Sequence, residues 1–225
     1  MSSDHFLGRR GAAVCLLVGP LVLAAANGLW GITTNRNDGA DWVDRVQDSP
    51  ALAELAENLV TVGIVMTVLA LSWVTQHVAL HGSPKARFFG SLAVIGHMIG
   101  LVFGGMSYAV RQLASQQDLT AVGALVERIY DGPEFTLGLL NPPLIVVGYL
   151  GLAVVAARSG VLPTWRAVGL GLTIAFPVGI ISGATIVSII AFAGLASAMA
   201  PFGLALLREG DPSPVDSRRP VTASG

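Results

Sequence analysis

Residues 167–207 read AVGLGLTIAFPVGIISGATIVSIIAFAGLASAMAPFGLALL, 41 residues without Asp, Glu, Lys or Arg. As one helix this run would extend about 60 Å, twice the hydrocarbon thickness of a bilayer. It must turn back on itself, and Ile181-Ser182-Gly183-Ala184 interrupts the apolar pattern near its middle. Two membrane spans follow, near 165–182 and 185–207.

The same count along the rest of the chain gives four more charge-free runs, Gly11–Asn35, Asn58–Pro84, Phe88–Val110 and Phe135–Ala157. Each is long enough for a helix of about 20 residues to cross. They place spans near 11–32, 54–80, 88–111 and 135–157. The expected fold is all-α: a polytopic membrane protein with six transmembrane helices over residues 1–210, followed by a disordered cytoplasmic tail over 211–225. Pro212, Pro214, Ser217 and Pro220 give that tail its character.

Bulk composition points the same way. Of 225 residues only 12% are charged and 53% are hydrophobic, with a mean hydropathy of +0.68. Soluble domains carry roughly a quarter charged residues, so this chain cannot cover a water-facing surface of its own size. An ordinary cytosolic enzyme, a disordered protein and a disulfide scaffold are excluded. A net charge of −1 supplies no field to recruit nucleic acid. Cys15 is the only cysteine and forms no intramolecular disulfide.

The loops set the orientation. Arg9 and Arg10 precede the first span, and Lys85 and Arg87 follow the second. Arg158 and Arg166 flank the next such turn, and Arg208, Arg218 and Arg219 end the chain. The intervening loops are acidic: Asp38, Asp41, Asp44 and Asp48 in one, Asp118, Glu127, Asp131 and Glu134 in the other. By the positive-inside rule both termini are cytoplasmic. Arg9-Arg10 and Ala24-Ala25-Ala26 also fit a cleavable signal peptide. The apolar run continues through Leu29, Trp30 and Ile32, however, which favours a retained first span. The expected partner is the lipid bilayer, and no internal repeat is evident.

Two outer features stand out. Ser49-Pro50 starts a helix with Glu54 and Glu57 near its positive end. Leu119, Val122, Leu125, Val126 and Ile129 recur at helical spacing and predict a short surface helix.

The third span carries most of the candidate chemistry. Gly96, Gly100 and Gly104 form a small-xxx-small series that permits close helix approach or oligomerisation. His97, Gly100, Gly104, Tyr108 and Arg111 share one stripe. Spans two and three are antiparallel, so Glu57 and Asn58 lie at the same outer end as Tyr108 and Arg111. Asn27 and Thr61 approach that level. Glu134 lies at the rim, and Asn141 about 10 Å below it on the fourth span. Pro142-Pro143 predicts a kink or local opening there. Glu57, Asn58, His97, Tyr108, Arg111, Glu134 and Asn141 are therefore the candidate ligand-binding residues, with His97 as the pocket floor. An Arg111–Glu57 or Arg111–Glu134 pair that merely fastens helices is the competing reading.

No metal site and no cofactor are expected. His77 and His81 share a helix face but lack a third ligand. His77 and His97 differ in depth by roughly 9 Å, which disfavours a bis-histidine haem. No zincin helix, Walker A loop or Gly-x-Ser-x-Gly elbow is present.

Gly148-Tyr149-Leu150, Arg158-Ser159-Gly160, Leu162-Pro163, Trp165, Gly169 and Gly171 together resemble a family of small six-helix bacterial membrane proteins, of the actinobacterial type, grouped as a domain of unknown function. Thr164 departs from the basic residue of that pattern, and Asn141-Pro142-Pro143 lies outside it. The resemblance implies the six-helix fold and a bacterial inner membrane, and no activity. The expected function is binding or passage of a small-molecule or lipid-like ligand through an outward-facing polar pocket. Two alternatives remain. One is an intramembrane enzyme acting on a lipid or isoprenoid, using Glu57 or Glu134 with His97 or Tyr108. The other is a structural subunit with its glycine face turned outward.

Overall fold

The computed structural model describes residues 8–33, 47–114, 119–130, 132, 139–182 and 184–208. Among these every regular element is helical. The helices are α1 (Gly8–Thr33), α2 (Pro50–His81), α3 (Lys85–Ala114), α4 (Leu119–Tyr130) and α5 (Asn141–Arg158). After them come α6 (Thr164–Gly171), a 3₁₀ turn (Leu172–Ile174), α7 (Ala175–Ser182) and α8 (Thr185–Arg208). Five of them, α1, α2, α3, α5 and α8, contain stretches long and apolar enough to cross a membrane.

The segment expected to form one span over 165–182 is instead α6, the 3₁₀ turn and α7 in series. Pro177 explains the break: it lacks the N–H that would bond the carbonyl of Thr173, and its ring crowds that carbonyl. Thr173 Oγ1 turns back to the Leu170 carbonyl at 2.9 Å. The tightened 3₁₀ turn then carries the chain past the weak point.

The fourth span also differs. The Asn141-Pro142-Pro143 sequence opens α5, with Leu140 as N-cap. Proline suits the first turn because an N–H there has no intrahelical partner. Phe135–Gly138 lie outside the described residues. At the start of α2, Pro50 takes the first turn as expected, but the Ser49 side chain makes no capping bond. The expected surface helix is observed as α4, with Val122 buried.

Helix α1 packs against α2 and α8, while α3 packs against α5 and α2. The α6–α7 segment lies on α8 and α5. A shared core contains Leu16, Leu71, Val74, Ile145, Tyr149, Leu152, Phe192 and Leu195, all essentially inaccessible. Around it many large apolar side chains face outward, among them Leu80, Val102, Val168 and Ile186, each more than half exposed. Outward-facing apolar residues on every long helix suit lipid and would be costly in water.

Glycines set the closest crossings. A Cβ on Gly169 would stand 2.8 Å from the Gly194 carbonyl oxygen, and one on Gly194 would stand 2.9 Å from that of Gly169. The α6 and α8 backbones therefore touch. Gly160, with φ +73°, closes α5 in the left-handed region that favours glycine. Pro163, extended at φ −62° and ψ 149°, then caps α6.

Candidate functional site

Arg111 ends the polar stripe of α3 near its C-terminus. Its Nε donates to Glu57 Oε2 at 2.8 Å, and its Nη1 lies 3.7 Å from Glu54 Oε2. The Arg111 and Glu57 side chains are 9% and 6% exposed, whereas that of Glu54 is 57% exposed. The guanidinium carbon sits 5.0 Å from the centre of the Tyr108 ring, and Tyr108 is itself about half exposed. This is an inter-helical cluster of two carboxylates, one guanidinium and one aromatic face. Among the described residues, Arg111 Nη2 is buried and has no hydrogen-bond partner.

The ion pair expected from sequence is thus made with Glu57. Glu134 lies outside the described residues. Asn58, one residue on, is exposed, as is Thr61. Asn27 bonds within its own helix, Nδ2 to the Leu23 carbonyl at 2.8 Å.

His97 and Asn141 belong to a second cluster between α3 and α5. His97 Nε2 and the Tyr149 hydroxyl are hydrogen-bonded at 2.8 Å, with both residues buried. The rings meet edge-on at 5.7 Å. Asn141 Nδ2 donates to the Gly96 carbonyl at 2.6 Å. Gly96 and Gly100 face α5: a Cβ on Gly96 would meet Ile145 at 2.7 Å, and one on Gly100 would meet Asn141 Nδ2 at 2.9 Å. Both are consumed by internal packing, so neither is open to a second copy. Among the described residues, Gly104 has no neighbour from another helix within 4 Å of its Cβ position.

The two clusters lie at different depths. A Cβ on Gly100 would be 4.0 Å from Ile64 Cδ1, which sets the register of α2 against α3. From His97 to Gly100 the rise is about 4.5 Å, and from Ile64 to Glu57 about 10.5 Å. His97 and Glu57 are therefore separated by about 15 Å along the bundle. The expected single pocket resolves into a polar cluster at the Arg111 end and a deeper, fully packed His97–Tyr149–Asn141 cluster. A carboxylate and a histidine so far apart do not act on one reacting atom.

The other end of the bundle holds a cluster not anticipated from sequence. His77 stacks on Trp73 at 4.9 Å, meets Phe202 edge-on at 5.2 Å, and lies 4.3 Å from the His81 ring. Arg166 covers the other partner, 4.6 Å from the Phe202 centroid, and donates to the Ala198 carbonyl. The i, i+4 histidine spacing was visible; the contributions of α6 and α8 were not. His81 Nδ1 donates to the His77 carbonyl at 2.9 Å. Among the described residues no three His, Cys, Asp or Glu side chains group as metal ligands. Tyr149 was likewise missed as the partner of His97, because residues 52 apart in sequence carry no local signal of contact.

No family model matches the chain, and no curated protein or solved structure matches it.

Proposed function

We propose that this chain is a six-span integral membrane protein of a bacterial plasma membrane, with both termini cytoplasmic, that binds a small or lipid-like ligand at the Arg111 end of its bundle. In this reading α6 and α7 together form the fifth, broken span. Discontinuous helices are tolerated in membranes where their irregular backbone packs on protein, and here it packs on α8 and α5. The alternation of basic and acidic loops supports the orientation. The resemblance around Arg158–Trp165 agrees with the same architecture.

One observation carries the ligand reading: the buried Arg111 Nη2 without a partner. A helix-fastening ion pair needs only the bond to Glu57. A desolvated donor left over is costly unless something fills it, and a bound ligand supplies the missing acceptor. Arg111→Lys separates the two roles. Lysine keeps the positive charge opposite Glu57 but loses the planar fork. Native mass spectrometry of the full chain, released from mild detergent, is expected to show a bound species on the wild type that is lost from Arg111→Lys. Equal occupancy on both proteins would leave the pair a fastener only.

Orientation has its own test. In a Cys15→Ser background, a membrane-impermeant maleimide added to intact cells is expected to label Glu127→Cys, on exposed α4, and to spare Lys85→Cys. The opposite pattern would invert the topology.

A further inference from the structure

The Arg111 cluster adjoins an open position on α3, and this inference rests on the ligand reading above. Helix α5 begins at Asn141, level with Gly96 and Gly100, which its first turns cover. Four residues further along the same α3 stripe, Gly104 meets nothing within 4 Å. Among the described residues the α3 stripe is thus packed at Gly100, against Asn141 and Ile64, and open at Gly104.

By helical rise the guanidinium reaches the level just above that position. From Gly100 to Arg111 the rise is about 16.5 Å, but from Ile64 to Glu57 only about 10.5 Å. Arg111 bridges the difference of about 6 Å by lying back along its own helix, as long helical side chains do, and its contact with Tyr108 three residues earlier confirms that direction. Gly104 is about 6 Å above Gly100, so the guanidinium head is within one helical turn of it.

The charge balance selects the ligand. Glu57 and Glu54 already outweigh the single positive charge of Arg111. What is left is a hydrogen-bond donor without net positive charge, which suits a neutral oxygen acceptor and disfavours a further anion. We propose that this face of α3 holds an uncharged lipid, with a carbonyl or hydroxyl oxygen of its head on Arg111 Nη2 and its hydrocarbon chain against Gly104.

The test uses the full chain in phosphatidylcholine nanodiscs and a diacylglycerol probe carrying a diazirine in its acyl chain. Photolabelling is expected within Lys85–Ala114, competed by dioleoylglycerol and not by an equal amount of dioleoyl phosphatidic acid. Gly104→Leu, which fills the opening without touching packed atoms, is expected to lower labelling roughly tenfold. Gly105→Leu, on the neighbouring exposed face, is expected to label as the wild type. Wild-type labelling of Gly104→Leu, or equal competition by phosphatidic acid, overturns the lipid assignment. If Arg111→Lys still loses its bound species in mass spectrometry, the ligand reading survives that failure; if it does not, both fall.

Discussion

Replacing Glu57 by leucine is expected to destabilise the folded protein by about 3–5 kcal/mol, toward the lower end of that range. The cost comes from Arg111, not from the carboxylate itself. With Glu57 gone, a guanidinium that is 9% exposed keeps its charge in a site that water scarcely reaches. Glu54 remains at 3.7 Å and offsets part of the loss. Its own exposure makes that help small, of the order of an exposed ion pair. The double variant Glu57→Leu/Arg111→Met is expected to recover most of the stability, because removing both charges leaves no orphan. Unfolding in mixed micelles, followed by tryptophan fluorescence, gives the three values. A double variant no more stable than Glu57→Leu would show that the pair does not act as a unit.

Gly148→Leu is expected to prevent α3 and α5 from docking. A Cβ at residue 148 would stand 2.7 Å from Ala93 Cβ and 2.8 Å from Ala93 Cα, and would also contact the Ala93 backbone nitrogen. Backbone atoms cannot rotate aside, so the helices must separate. Separation removes the His97–Tyr149 and Asn141–Gly96 bonds as well. Even Gly148→Ala is expected to cost about 1–3 kcal/mol, the usual penalty for overpacking. Ala93→Gly should restore part of that loss by removing one of the clashing atoms. The folded fraction in size-exclusion chromatography and the Tm report both effects. A Gly148→Leu protein that elutes and melts like the wild type would contradict the observed crossing.

Both predictions depend on contacts between helices, and those were the least legible feature of the chain. The rough limits of most long helices follow from charge-free runs, since a charge within such a run is costly to bury. Spans expected at 54–80 and 88–111 appear as Pro50–His81 and Lys85–Ala114. The errors fall on proline. Pro177 was present in the quoted run yet given no weight, so a broken segment was read as one helix. Pro142-Pro143 was read as a kink or local opening inside a span from 135, and it lies in the first turn of α5.

The site was half legible. Arg111 and Glu57 could be placed at one end by counting rise along antiparallel helices, and they meet. Counting rise does not fix rotation about the helix axis. Asn58 was therefore grouped with Glu57, although adjacent helical residues point about 100° apart, and it is exposed. His97 was assigned to the floor of the same pocket because it shares the α3 stripe with Arg111. Its partner proved to be Tyr149 on another helix.

By itself the sequence determined the class of structure: too few charges for a watery surface, and apolar runs of bilayer length separated by loops of alternating sign. These are properties of composition along the chain, and each run can be judged without its neighbours. Only the tertiary structure decided which polar groups share a site. It joined Arg111 to Glu57 and His97 to Tyr149, packed the α3 stripe at Gly100 and left it open at Gly104. Such choices depend on helix rotation and register, which are set jointly by close-packed glycines on two helices and are written in neither one alone.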